Sequence, residues 1–446
     1  MIAMGRFSDP GIRRRLWSLL YAPVLATGMA LMFGRVLIMA RLLSVEEFAV
    51  LNTVLLISVV VGMMAALGLL VELQRKLPVQ LERRQIDAAL SQIAVTVLGS
   101  VAASVLVLLI LFGVSMIWEL SRSVILAGVV HGVTQQVFIV VATESRSNGD
   151  TVRYSIQTLA RATLILVFAV PIAILTRSAI AVLLMEALVA AVLSVLMLRS
   201  VLVNANQRAR DAFGRGMSQV RQVNWASMAA LVAATVVVTM AGYVDRWLAV
   251  WVLSVPNFAE YSFASIALVI AQSLQILVNA SVFPALARRR ALRGPRSAFR
   301  LAAVTAGATL AGCGLVAVPC LVIAAPVIDR YFPGYGGALP LLPVVAVTAC
   351  FRISDFWTGF LLVDGRERGV VLINIPAVAA AILVWYGFCH GVPTALNLAY
   401  LAAGVAAARY CLSFVFCVVV TMSRRMALAG SEGERDFTAL SAGDDR

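Results

Sequence analysis

The chain is 446 residues long, 61% of them hydrophobic and 13% charged, with a formal net charge of +14 at pH 7. Soluble globular domains are about 45–50% apolar and about 25% charged, so this composition excludes a soluble fold and defines a polytopic membrane protein, whose spans are helices. The basic balance does not point to nucleic acid, because no soluble basic domain is present to carry such a partner.

Residues 1–15 form a basic segment, with Arg6 and Arg13 to Arg15, placed in the cytoplasm. The apolar stretch that follows is too long for a signal peptide and has no small-residue cleavage site, so it reads as the first membrane helix. Crossing a bilayer takes about 20 helical residues. Twelve segments meet that length, centred near Met29, Val60, Val101, Val130, Val167, Leu188, Ala234, Ile270, Gly312, Val347, Leu383 and Val405. They predict an N-terminal six-helix bundle over residues 16–200, a cytoplasmic linker over 201–223 and a C-terminal six-helix bundle over 224–422. The remainder, 423–446, reads as a disordered cytoplasmic tail, since it is polar and contains GSEGERDF.

The loops alternate in charge. Inner loops carry most of the arginines, including Arg83 and Arg84, Arg146 and Arg153, Arg208 to Arg221, and Arg288 to Arg300, whereas the outer loops hold only Arg41, Arg122, Arg177 and Arg330. By the positive-inside rule both ends of the chain are cytoplasmic. Anionic membrane lipids are the partners this charge fits.

Two stretches nearly repeat: LSVEEFA at Leu43 to Ala49 and LSVPNFA at Leu253 to Ala259. The first joins segments one and two, and the second joins segments seven and eight. Six segments separate the copies, so the two halves have the same orientation, which predicts two bundles related by an axis along the membrane normal. Segment one should end near Leu43 and segment seven near Leu253.

Little here suggests an enzyme. The polar stretches around residues 204–223 and 288–300 are too short for an independent core, which usually takes about 50 residues or more. Cys313, Cys320, Cys350, Cys389, Cys411 and Cys417 lie in or beside apolar segments with no CxxC pair and no His at ligand spacing, so neither a metal nor a cofactor is expected. His131 lies inside segment four, where a proton relay and a helix-to-helix hydrogen bond are the two readings, the second being the commoner.

Five arginines are embedded in apolar segments, Arg35, Arg161, Arg246, Arg352 and Arg409, against the acids Glu186, Asp245 and Asp355. An ionisable group at the bilayer centre costs at least about 2.5–3.5 kcal/mol, so each needs a wet cavity or a partner. Guanidinium keeps its charge and forks onto phosphate oxygens, which suits an anionic cargo. Arg35, too deep to reach water, leads the candidate substrate contacts, with Arg246, Arg409 and Arg352 behind it. Arg352 and Asp355 have the spacing of an internal ion pair. Arg161, at the start of segment five, reads as snorkelling to the cytoplasmic surface. Asp245, Glu186 and Asp355 are candidate ion-coupling groups, while Gln272, Gln275 and Asn279 share one face of segment eight and are candidate cavity-lining residues. Pro23, Pro171, Pro319, Pro326, Pro340, Pro343 and Pro376 mark bend points.

The stretch GRVLIMARLLSVEEFAVLNTVLLISVVVGMMAALGL at Gly34 to Leu69 resembles the opening helices of bacterial polysaccharide-biosynthesis flippases. The stretch VDRWLAVWVLSVPNFAEYSFASIALVIAQSLQILVNASVFPALARR at Val244 to Arg289 resembles their seventh and eighth helices. The chain departs from the family's pattern at Ser44, Ala49, Ser254 and Ala259, where glycines are frequent. The resemblance implies the MATE-like fold of the MOP superfamily and alternating access around a central cavity. It also implies flipping of an undecaprenyl-diphosphate-linked oligosaccharide across the bacterial inner membrane, for exopolysaccharide, O-antigen or capsule (lipopolysaccharide-type) synthesis. The partners it implies are that lipid-linked oligosaccharide and the polymerase and export machinery of the same pathway. A MATE-like cation-coupled exporter is the alternative within transport, and a membrane glycosyltransferase or polymerase the alternative outside it.

Overall fold

A computed structural model describes residues 10–65, 68–118, 121–206, 208–220, 225–388 and 393–441. Among these residues all regular structure is helical, as lipid requires of chain that must satisfy its own backbone groups. Ten helices among the described residues are long and apolar enough to cross a membrane. The other two of the twelve expected segments are also helical, at Trp225–Val252 and from Val255 onward.

The chain divides into two compact units. Unit 1 comprises Met1–Val236, Leu253–Phe263 and Tyr331–Tyr335; unit 2 comprises Val237–Val252, Ala264–Arg330 and Gly336–Arg446. The first helices are α1 (Pro10–Leu42), α2 (Val45–Ala65), α3 (Leu69–Glu82) and α4 (Ile86–Trp118). They are followed by α5 (Arg122–Ser147), α6 (Thr151–Thr176), α7 (Ala179–Asn204) and α8 (Ala209–Val220). Within unit 1, α1 packs on α6, α2 and α7 both pack on α5, and α4 packs on α8. Small residues permit these approaches. A Cβ added at Gly128 of α5 would stand 3.2 Å from the Val54 carbonyl of α2, and one at Gly132 only 2.7 Å from the Ser58 carbonyl. Gly128 and Gly132, one turn apart, therefore form a GxxxG contact face. Gly28 does the same for α1, where a Cβ would come within 3.2 Å of Leu159 Cα in α6.

The remaining helices are α9 (Trp225–Val252), α10 (Val255–Ala264), α11 (Ile266–Tyr331), α12 (Leu342–Ile353), α13 (Trp357–Val363), α14 (Glu367–Phe388) and α15 (Ala395–Ser441). A 3-10 segment, Pro333–Leu341, links α11 to α12. In unit 2, α14, α12 and α13 pack on α15 around a core that includes Phe356, Trp357, Phe360 and Cys417. Ala298, Ala302 and Ala306 share one face of α11 in the same core. Leu109, Leu175, Leu315 and Leu383 are exposed, as lipid-facing positions of a membrane helix are.

Both LSVxxFA copies build the same local structure. α1 ends at Leu42 and α9 at Val252, close to the expected Leu43 and Leu253, and a new helix begins at Val45 and at Val255. The Phe48 amide donates to the Ser44 carbonyl at 2.9 Å, and the Phe258 amide donates to the Ser254 carbonyl at 2.8 Å. Ser44 Oγ also accepts the Glu47 amide, acting as an N-cap.

Three polar stretches depart from the expectation of loops. α8 occupies most of the linker expected at 201–223. The stretch 288–300 is helical on both sides of a break at Gly294, whose φ of 80° only glycine adopts freely. The backbone of α15 continues helical to Ser441, through the stretch expected to be disordered, while the side chains beyond Met422 lie outside those described. Arginine is a good helix former, so polarity alone does not end a helix. Residues 442–446 and the N-terminal 1–9 lie outside the described residues.

Candidate functional site

Unit 1 buries a connected set of polar side chains. Glu186 of α7, fully buried, is ion-paired with Arg35 of α1. His131 of α5 faces the same carboxylate oxygen, with Nε2 3.5 Å from Glu186 Oε2. On its other side, His131 Nδ1 shares a hydrogen bond of 2.8 Å with Ser58 Oγ of α2. Gln135, one turn along α5, lies 3.4 Å from His131 Nε2 and accepts a hydrogen bond from Arg161 of α6 at 2.9 Å. The Arg161 guanidinium lies over the Phe138 ring, 4.5 Å from its centroid.

The close α2–α5 approach sets this geometry. Gly132 follows His131 directly, and the bare glycine lets α5 come near enough to Ser58 for the ring to reach it. The chain of contacts thus crosses five helices, from Ser58 through His131 to Glu186 and Arg35, and from His131 through Gln135 to Arg161. The set holds two guanidiniums but one carboxylate, and only Arg35 is paired with it, so the set carries net positive charge whenever Glu186 is ionised.

Unit 2 arranges its charges differently from the expectation. Arg352 of α12 lies 3.6 Å from Asp245 of α9, not beside Asp355. The internal Arg352–Asp355 pair is absent because α12 ends at Ile353, with Ser354 turned onto the Cys350 carbonyl, so the helical spacing is lost before Asp355. Asp355 instead starts α13, accepting from the Thr358 amide at 3.2 Å and hydroxyl at 2.8 Å, and lies 3.9 Å from Arg409 of α15. Arg246 of α9 donates to the Ser265 carbonyl at 3.2 Å, and its guanidinium lies 5.1 Å from the centroid of the Tyr243 ring. Gln272 accepts from the Tyr243 hydroxyl at 3.5 Å, and Gln275 donates to the Asp355 carbonyl at 3.4 Å. Both amides are engaged between helices. The Asn279 side chain lies outside those described.

The five embedded arginines therefore fall into two groups. Arg35, Arg352 and Arg409 each meet an acid, Glu186, Asp245 and Asp355 respectively. Arg161 and Arg246 form no ion pair among the described residues. Each rests on an aromatic face and one neutral acceptor, with its Nε buried and without a hydrogen-bond partner. Arg35 is thus committed to Glu186, where the sequence favoured it as a cargo contact. Arg161 turns inward to α5, where the sequence had it snorkelling. Nothing local in the sequence marks the Arg35–Glu186 pairing, and Gln135 is not among the expected site residues, although its i, i+4 spacing from His131 places the two on one helix face.

No protein-family model matches the sequence, and no curated protein matches it. Solved structures do share the fold. The Vibrio cholerae MATE transporter VcmN superposes with a TM-score of 0.62 at 12% identity, covering 92% of this chain and 97% of its own. A MOP superfamily transporter from Pyrococcus furiosus gives 0.62 at 12% identity, over 89% and 94% of the two chains. An outward-facing multidrug resistance MATE family transporter gives 0.57 at 12% identity, over 91% and 97%. The fold is that of MATE and MOP superfamily transporters.

Proposed function

We propose that the protein is an alternating-access transporter of the bacterial inner membrane that flips an anionic, undecaprenyl-diphosphate-linked oligosaccharide to the periplasmic leaflet for polysaccharide synthesis. The MOP-type fold supports transport, and the resemblance of Gly34 to Leu69 and Val244 to Arg289 to polysaccharide flippases supports the cargo. The single observation that carries the sign of the cargo is the pair of uncompensated guanidiniums. Three acids neutralise three arginines, and Arg161 and Arg246 remain as cations without a carboxylate among the described residues. A diphosphate would supply the counter-charge that the protein does not.

The test is translocation of a defined lipid-linked oligosaccharide in reconstituted vesicles. Arg161→Gln with Arg246→Gln should cut the rate by about a hundredfold or more, since losing a charge-assisted hydrogen bond costs about 1.5–3 kcal/mol at each site. Full transport by a folded double variant would sink the anionic-cargo reading.

A cation-coupled exporter is favoured by a different observation, the buried Glu186 with His131 at 3.5 Å. A carboxylate and an imidazole in one buried set form a proton-binding group of the kind ion-coupled transporters need. Addition of a hydrophobic cation to vesicles holding a pH gradient separates the two readings. Collapse of the gradient on cation addition, without movement of lipid-linked sugar, would favour export.

A further inference from the structure

Phe48, the aromatic residue of the first LSVxxFA copy, is completely buried, and the ring that meets it comes from far along the chain. Tyr335 meets it edge-on with centroids 5.4 Å apart. Phe263 stacks on Tyr335 at 4.6 Å and tilts against Phe332 at 5.1 Å. Two flanking contacts join the same segments: a Cβ at Gly334 would lie 3.5 Å from Val45 Cγ2, and the Arg41 guanidinium lies 6.0 Å from the Tyr331 ring centroid. All of these residues belong to unit 1.

The composition of this cluster suits repeated making and breaking. Its three phenylalanines bring no polar group, and the Tyr335 hydroxyl is buried without a hydrogen-bond partner, so separating the rings strands no charge and breaks no side-chain hydrogen bond. That contrasts with Arg35 and Glu186, whose separation would leave two buried charges unpaired. Gly334, Gly336 and Gly337 bracket Tyr335 and give its backbone the freedom to swing. The two segments held by the rings, Leu253–Phe263 and Tyr331–Tyr335, are the only parts of the chain beyond residue 236 that count with unit 1.

We propose that Phe48, Phe263, Phe332 and Tyr335 form a releasable aromatic latch that fastens these two segments to the start of α2, and that its release admits solvent to that end of unit 1. The latch deepens the transporter reading and places a gate at the end of the helices that the arginine distribution assigns to the outside.

The test is chemical labelling of the full-length protein in a background with its six native cysteines replaced. Asn52 lies one turn beyond Phe48 on α2, its amide donating to the Phe48 carbonyl at 2.8 Å. Asn52→Cys serves as the probe for a membrane-impermeant thiol reagent. Tyr335→Ala should speed its labelling about tenfold, the factor expected from losing one or two aromatic pairs. Tyr335→Phe should leave the rate unchanged, because the ring and not the hydroxyl makes the contact. In the Val45→Cys/Gly334→Cys background, oxidation should tie the Tyr331–Tyr335 segment to the start of α2 and slow probe labelling, and reduction should restore it. An unchanged rate in a Tyr335→Ala protein that elutes like its parent, or an oxidised pair that labels as fast as the reduced one, overturns the latch. No arm uses a cargo, so failure of the flippase reading would show in the vesicle assay and leave this measurement intact.

Discussion

Arg35 and Glu186 lie 151 positions apart in the chain and meet in the interior of unit 1, both buried. Taking both charges out of water is costly, and their attraction only offsets that cost while both are present. Glu186→Gln should therefore destabilise the protein by about 3–5 kcal/mol, by leaving the guanidinium uncompensated. Replacing both, as Arg35→Met with Glu186→Leu, should recover most of that loss. Unfolding of the two variants in detergent, followed by helical circular dichroism, checks the order. A Glu186→Gln protein as stable as its parent would show that Arg35 has another counter-charge. The sequence supplied the burial of these charges and the need for partners, because apolar context is visible in the chain. It did not supply the partners, because pairing between helices is set by tertiary packing. Arg352 shows the limit most clearly: its nearest acid in sequence is Asp355, and its partner in space is Asp245.

Helix ends were legible where a local signal exists. Ser44 and Ser254 precede helix starts at Val45 and Val255, as serine at an N-cap does. The two copies diverge at the second and third residues after the serine, Glu46 and Glu47 in the first and Pro256 and Asn257 in the second. Glu47 also acts far along the chain, where its carboxylate accepts the Ala179 amide at 2.6 Å and so caps the N-terminus of α7. Glu47→Ala should cost about 0.5–2 kcal/mol, and Glu47→Asn or Glu47→Gln less, measured by thermal unfolding. Equal loss for alanine and glutamine would show that charge, not hydrogen bonding, carries the cap. Breaks inside segments were harder to read. Gly294 and the turn at Ser354 interrupt apolar or basic runs without a loop-like composition, whereas the arginine-rich 288–293 run, expected as a connection, continues a helix. Helix propensity and membrane topology give opposite readings of such a run, and propensity prevails locally.

At the scale of the molecule, the alternation of arginine is the strongest constraint, since it assigns a side to every turn at once. The turns at Asn148 and Gly149, and at Gly365 and Arg366, fall in arginine-rich stretches, whereas Ser121 and Gly336 fall in arginine-poor ones. An even number of spans between Ser121 and Gly336 is required if both face outside, and the helices from α5 to α11 provide six when α8, 12 residues long and too short to cross, is left out, α11 is counted as two helices across Gly294 and α10 is joined to its first part. Single cysteines test this in intact cells. Ser121→Cys and Gly336→Cys should react with an impermeant thiol reagent, while Asn148→Cys and Arg288→Cys should react only after the membrane is opened. Labelling of Gly336→Cys and Arg288→Cys from the same side would mean that the part of α11 beyond Gly294 does not cross the bilayer. The residues Leu292–Tyr331 are apolar throughout most of their length and mostly exposed, a surface suited to lipid, so crossing is the expected outcome.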